Sequence, residues 1–478
     1  MSSVFLIVDV LLPILGGAVL TLFARERSGI RRYTGLVTLL ASVLTWLLIL
    51  RCPAETLTLV HFSDRLILQL HFDGLGHFFA GIVATLWPLT VLYAYEYMED
   101  DRRQGTFFSF FTITYGVTLG VTMAGNIFTL YCFYELLTLV TVPLVMHTQT
   151  LEAARATRVY LFLSLGGAAF AFISMMYLIV SGGDIRPGAT TQLFYLFGFF
   201  GFGVKAAVFP LYFWLPRASV APTPVTALLH AVAVVKSGVF AITRLTWCCY
   251  GVEVIRGTSA QTVALCFVAF TIVFGSSMAL KERHLKRRMA LSTVANLSYI
   301  LFGVLLLTET SLTAGLMHMA FHAEIKILAF FATGAIMHHS GREYLSEMDG
   351  LARRMPFTFI FFAVASLGLT GIPPFAGFIS KWMLLSAAAE IGTTMAWVGS
   401  AALLISALLT AMYCFTALQR AVFPDRNADL STLESVHEAG PAMLIPMGIL
   451  AAAVLVTGLC AGAIQSQLAP IVAGLCRW

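Results

Sequence analysis

Six lysines occur in this chain, and four of them, Lys205, Lys236, Lys326 and Lys381, fall in long apolar stretches instead of the arginine-rich gaps. An ionised side chain at membrane depth costs about 2.5–3.5 kcal/mol on insertion scales, so such residues typically line a path for ions. Glu135 has similar surroundings, in Tyr-Cys-Phe-Tyr-Glu-Leu-Leu-Thr-Leu with no base nearby in sequence, and it requires a partner from another helix. His318, His322 and Lys326 repeat at i, i+4, which sets all three on one helix face. Histidine titrates near neutral pH, so such a stripe can relay protons. Glu324 stands two residues from both His322 and Lys326, about 200° around the helix, and points away from them. His230 is alone in its apolar stretch. Each residue also has a plainer reading: lysines that snorkel to headgroups, above all Lys381 near a helix end, a static ion pair for Glu135, and a satisfied core residue for His230.

The elements that must position these residues are membrane helices. The 478 residues are 59% hydrophobic and only 11% charged, against about 25% charged in a soluble domain. Apolar stretches of about 20 residues, each able to span a bilayer, recur along the whole chain. Gly, Pro, Asn and charge clusters divide the chain into spans near 3–23, 33–50, 75–95, 107–124, 127–146, 157–180, 191–214, 223–247, 259–280, 289–308, 312–337, 356–380, 394–420 and 441–465. Residues 57–72 alternate polar and apolar side chains around Ser63-Asp64 and predict a short hairpin at the membrane surface.

The first apolar stretch has no basic run before it and no cleavage site, and reads as a retained helix. Loops after odd-numbered spans hold eighteen basic residues, from Arg25 to Arg426. Those after even-numbered spans hold four, with Arg477 in the tail. The positive-inside rule then puts both termini outside an inner (cytoplasmic) membrane, which needs an even number of spans. The eight cysteines, Cys52 and Cys476 among them, form no C-x-x-C pair, and no Gly-rich phosphate loop occurs. No metal, cofactor, redox centre or nucleic-acid partner is expected.

Proline interrupts two spans in similar settings. One runs from Lys205 to Pro216 and contains Pro210; the other runs from Ser366 to Lys381 and contains Pro373 and Pro374. Proline frees carbonyls that hydrocarbon cannot satisfy, so such breaks must face protein or water. They lie in the seventh and twelfth spans, five apart. An odd separation implies repeats of inverted topology, with a transport site between them.

These residues carry a family resemblance. Gly-Phe-Gly-Val-Lys-Ala-Ala-Val-Phe-Pro-Leu-Tyr-Phe-Trp-Leu-Pro at 201–216, Ala-Pro-Thr-Pro-Val-Thr-Ala-Leu-Leu-His-Ala at 221–231 and Lys-Ser-Gly-Val at 236–239 resemble the antiporter-like subunits of respiratory complex I. Mrp-type sodium/proton antiporters and ion-pumping membrane-bound hydrogenases share that pattern. Tyr134-Glu135-Leu136, Lys286-Arg287 with Ser292-Thr293, and the stretches 318–326 and 366–381 match as well. The resemblance implies an all-α membrane protein of about 14 transmembrane helices with two inverted five-helix repeats and broken helices 7 and 12. Residues 1–105 would hold the first three helices, 106–250 and 251–423 the repeats, and 424–478 the last helix and tail. It also implies that Glu135 and Lys205 form a coupled pair, that Lys236 links two half-channels, that His318, His322 and Lys326 form the central region, and that Lys381 is the terminal lysine. His284 stands where the family often has an acidic residue, and Glu324 where an uncharged one is common. The pattern at 338–356 leans towards the shorter, Mrp- and hydrogenase-linked members.

The function expected from this reading is proton or Na⁺ translocation by a membrane subunit of a larger assembly. Partner subunits would supply redox energy or counter-ion flow, so the chain is at most a non-redox part of a possible NADH-quinone oxidoreductase or hydrogenase. Glu135, Lys205, Lys236, His230, the 318/322/326 stripe and Lys381 would form the ion path. Burial and a neighbouring carboxylate act in opposite senses on a lysine's proton affinity, so movement of Glu135 against Lys205 would switch it. A free-standing secondary antiporter is the alternative. A structural subunit with no ion path fits poorly with four lysines in apolar helices.

Overall fold

A computed structural model describes residues 2–23, 27–51, 56–183, 185–425 and 431–475. Arg25, Arg426, Arg477, Cys52 and Cys476 lie outside the described residues. The chain is helical almost throughout. In order, it forms α1 (Ser2–Phe23), α2 (Arg27–Arg51), the strands β1 (Thr56–Ser63) and β2 (Leu66–His71), α3 (Gly74–Tyr97), α4 (Gln104–Thr122), α5 (Ile127–Val145), α6 (Leu151–Ser181) and α7 (Ala189–Gly203). Then follow α8 (Trp214–Ala218), α9 (Thr223–Ala231), α10 (Val234–Thr243), α11 (Val252–Ile255), α12 (Ser259–Lys281), α13 (Leu285–Leu305), α14 (Glu309–Ser340), α15 (Pro356–Thr370), α16 (Ala376–Ile391), α17 (Thr394–Val422), α18 (Pro441–Leu459) and α19 (Ala461–Ala473).

Among the described residues, eleven helical stretches are long and apolar enough to cross a membrane. They are not equally buried. The apolar cores of the run Thr223–Tyr250 and of helix α13 are fully buried, and that of α14 nearly so, while in α1, α2, α6, α17 and α18 fewer than half of the core residues are buried. The outer helices turn large apolar side chains outward, such as Leu36, Leu39, Val43 and Leu50 on α2. Water would not tolerate such a contiguous apolar surface. His230, Lys236, His318, His322 and Lys326 therefore sit on an inner column, screened by a ring of greasy helices.

The hairpin expected over 57–72 is present: β1 and β2 pair antiparallel, with Thr56 opposite His71 and Ser63 opposite Leu66. It is tied to the start of α5, where Asn126 donates from its amide to Ile67 O at 2.7 Å and accepts from Thr129 N at 2.8 Å. That second bond satisfies one of the orphan N–H groups of a helix N-terminus.

Four predicted spans are not single straight helices; the last of them, near 441–465, divides at Cys460 into α18 and α19. The seventh stops at Gly203, and residues 204–213 form turns and the short 3₁₀ segment Leu211–Phe213 before α8. Pro216 is not part of that break. It occupies the third position of α8, where a missing N–H costs nothing. The eighth is interrupted at Val232-Ala233 and ends in a π-helical stretch, Arg244–Tyr250. The twelfth divides at 371–375, around Pro373 and Pro374, into α15 and α16. Lys381 is the sixth residue of α16 and is buried, which removes the snorkelling alternative for it.

Candidate ion-translocation site

Lys205 lies in the turn immediately after α7, with no exposed surface. Its ammonium donates to the carbonyl of Tyr134 and sits 3.4 Å from the centre of the Tyr134 ring. Two backbone features mark the turn. Ala207 adopts φ +55°, a left-handed conformation that costs a residue with a Cβ. Gly238 of α10 lies so close that a Cβ there would be 2.5 Å from Ala206 N and 2.8 Å from the Lys205 carbonyl carbon. Glu135, one residue beyond Tyr134 on α5, is within electrostatic reach of Lys205, and its Oε1 is buried with no hydrogen-bond partner.

A second group starts two residues before Gly238. Lys236 Nζ meets His322 Nδ1 of α14 at 2.9 Å, both buried. One turn back on α14, His318 stands 5.9 Å from His322, ring centre to ring centre. His318 Nδ1 then contacts Ser380 Oγ at 2.9 Å, and Ser380 is the neighbour of Lys381. Lys381 Nζ donates to Leu369 O at 2.5 Å and Thr370 O at 3.0 Å, the last carbonyls of α15. Gly371, at φ +86°, lets the Lys381 side chain pass: a Cβ there would be 3.0 Å from Lys381 Cδ. The Tyr299 ring touches both ends, 5.3 Å from His318 and 5.4 Å from Lys381 Nζ. Lys236, His322, His318, Ser380 and Lys381 thus form one side-chain row, with the Nε2 atoms of both histidines unpartnered among the described residues. Alternating amine, imidazole and hydroxyl groups can both accept and release a proton at every position.

Lys326 branches from this row. It shares the α14 face with the histidines, but its Nζ donates to Met289 O and Ser292 Oγ of α13, each at 2.8 Å. Ser292 in turn accepts from Tyr413 of α17 at 2.6 Å. His230 is solitary only in sequence. In space its ring lies 5.1 Å from that of Phe330, within electrostatic reach of Lys326 and Lys286, and neither ring nitrogen has a partner among the described residues. Glu324 turns away from the stripe, as its helix position requires, and accepts from Thr457 of α18 at 3.0 Å.

The family described as NADH:quinone oxidoreductase/Mrp antiporter matches residues 124–410, which contain every lysine, histidine and glutamate of the row. The chain belongs to this family. It is 31% identical over 418 residues, 82% of each chain, to NADH-quinone oxidoreductase subunit N of Desulforudis audaxviator. To Na(+)/H(+) antiporter subunit A1 of Staphylococcus aureus it is 27% identical over 434 residues, 84% of this chain but only 53% of that longer protein. Its fold superposes on a chain of the Mrp complex from Dietzia sp. DQ12-45-1b with a TM-score of 0.87 at 21% identity, covering 99% of this chain and 97% of the other. Members of the family are multi-pass membrane proteins, in accord with the many apolar helices here.

Several polar residues of this family member were not singled out as site residues from sequence. Ser380, Ser292, Tyr299 and Tyr413 lack charge, and nothing in their spacing separates them from ordinary core hydroxyls. Lys286 reads as a loop residue, yet it is buried in the first turn of α13 and donates to Ala221 O at 2.5 Å. Arg244, in the π-helical stretch, forms a two-pronged ion pair with Asp73, the N-cap of α3. Burial works against the Asp73 charge, but the Arg244 guanidinium and the Gly76 N–H hold its carboxyl below the ordinary value. His284, at the start of α13, pairs with Glu343 at 3.3 Å across the bridge His284–Tyr344, and burial lowers its proton affinity despite that carboxylate.

Proposed function

We propose that this chain moves protons or Na⁺ across a cell membrane as one subunit of a complex I-like or Mrp-like assembly, along a path that begins at Glu135 and Lys205 and continues through the buried row from Lys236 to Lys381. The observation that carries this reading is the 2.9 Å contact between Lys236 and His322, which joins the eighth span to α14 at the centre of the bundle. Four lysines buried without carboxylate ion pairs among the described residues are a costly arrangement for packing alone, and a useful one where charge must move. Energy would come from partner membrane subunits; both relatives are named as subunits.

The finer architecture belongs to the same proposal: fourteen crossings, inverted five-helix repeats at 106–250 and 251–423, flanking segments 1–105 and 424–478, and both termini outside an inner membrane, in contact with lipid. Its support is the placing of one non-helical break beside Lys205 and another beside Lys381. The test is proton or Na⁺ uptake by vesicles carrying the whole complex. Lys236→Ala should abolish most uptake with assembly intact, and unchanged uptake overturns the row as the ion path. Full transport by the chain purified alone would overturn its dependence on partners and favour a free-standing antiporter.

A further inference from the structure

Asp9, on α1, belongs to none of the groups above, yet it is fully buried. Its neighbour is Thr45 of α2, whose Oγ1 lies 2.8 Å and 3.0 Å from the two carboxyl oxygens and 2.9 Å from Ala41 O. A hydroxyl has one hydrogen and cannot donate to three acceptors. An undissociated acid resolves the conflict: Asp9 donates to Thr45 Oγ1, and Thr45 donates to Ala41 O. An ionised Asp9 would depend on one hydroxyl in an apolar bundle, which is costly. Among the described residues no charge faces it to compensate. From α2 come Thr45 and Ser42; from α4 comes Tyr115, the titratable group in reach, whose hydroxyl lies 2.8 Å from Ser42 Oγ. Strand β1, which also touches α1, carries His61, exposed to the outside. Pro13, four residues on, has no N–H to offer the Asp9 carbonyl, so the polar character of this turn extends to the backbone.

The hydroxyls of α2 continue away from this point. Thr34, Thr38, Ser42 and Thr45 follow at steps of four, four and three, so they share one face, and all are buried. Helical threonines commonly donate to the carbonyl four residues back, as Thr45 does. Thr34 and Thr38 have no partner among the described residues. Three residues before Thr34, Arg31 forms part of the wall of a cavity of about 840 Å³. Tyr95, Glu99, Asp100, His338 and His437 line it as well, and Tyr95 donates to Arg31 O at 2.6 Å.

We propose that Asp9 is a proton-binding site, separate from the row that ends at Lys381 and loaded from this cavity along the hydroxyl face of α2. Infrared spectra of the whole complex in its membrane test this directly. The wild type should show a carbonyl band of an undissociated acid that Asp9→Asn removes, and the band should shift in heavy water. Thr38→Val, which leaves Asp9 and Thr45 in place, should slow that shift severalfold. Thr45→Val should move the band, and it carries the test if Asp9→Asn does not assemble. The proposal is overturned if neither variant alters an acid band, if Thr38→Val leaves the exchange rate unchanged, or if the band responds to Na⁺ at constant pH, which would make the site a cation site instead.

Discussion

Lys205 and Lys381 each sit beside a break in a membrane helix, but they are held differently. Lys205 rests on a carbonyl and a ring of α5, with the Glu135 carboxylate next in sequence and free at one oxygen. Lys381 is gripped by the last two carbonyls of α15, so its positive charge faces the negative end of a helix dipole. A side chain can swing, whereas a helix end is fixed. In the proposed path the first lysine would therefore be the one to gain and lose its counter-charge. The second has a constant field, and in the proposed path it would exchange protons by way of Ser380 and His318.

Four substitutions test this contrast. The largest effect is expected from Lys236→Ala, which disconnects the two sides: ion uptake by vesicles should fall by at least about tenfold, equivalent to 1.36 kcal/mol on the barrier. Glu135→Gln keeps the shape but removes the movable charge. Uptake should fall severalfold, and an unchanged rate would mean that both lysines work with fixed surroundings. Ser380→Ala removes the hydrogen bond to His318, worth about 0.5–1.5 kcal/mol, and should slow uptake about two- to tenfold while leaving Lys381 in place. Glu324→Gln should change uptake least, because the carboxylate faces α18; a loss equal to that of His322→Ala or Lys326→Ala would put Glu324 in the path.

Much of the inner column was legible in the sequence. Lysines and histidines in apolar stretches are rare enough to stand out, and the i, i+4 pattern at 318, 322 and 326 put Glu324 on the opposite face before any neighbour was known. Periodicity says which face a residue occupies, not what lies across from it. The Asp73–Arg244 pair joins positions 171 apart, and Ser380 gains its place only because α14 and α16 pack together. Lys286 was misplaced for a related reason: charge clusters suggest loops, and only the fold shows that its ammonium turns inward. The backbone irregularities at 232–233 and 244–250 escaped because no proline marks them.

Gly238 bears on how motion would travel. With only hydrogen on its α-carbon, α10 is pressed against the backbone between Lys205 and Ala206, closer than any side chain would permit. Two rigid bodies in such contact behave like meshed gears: a displacement of the turn that carries Lys205 is felt directly by the helix that carries Lys236. The signal between the first lysine and the histidine row would then be a displacement of backbone, which needs no continuous line of hydrogen bonds to cross the gap.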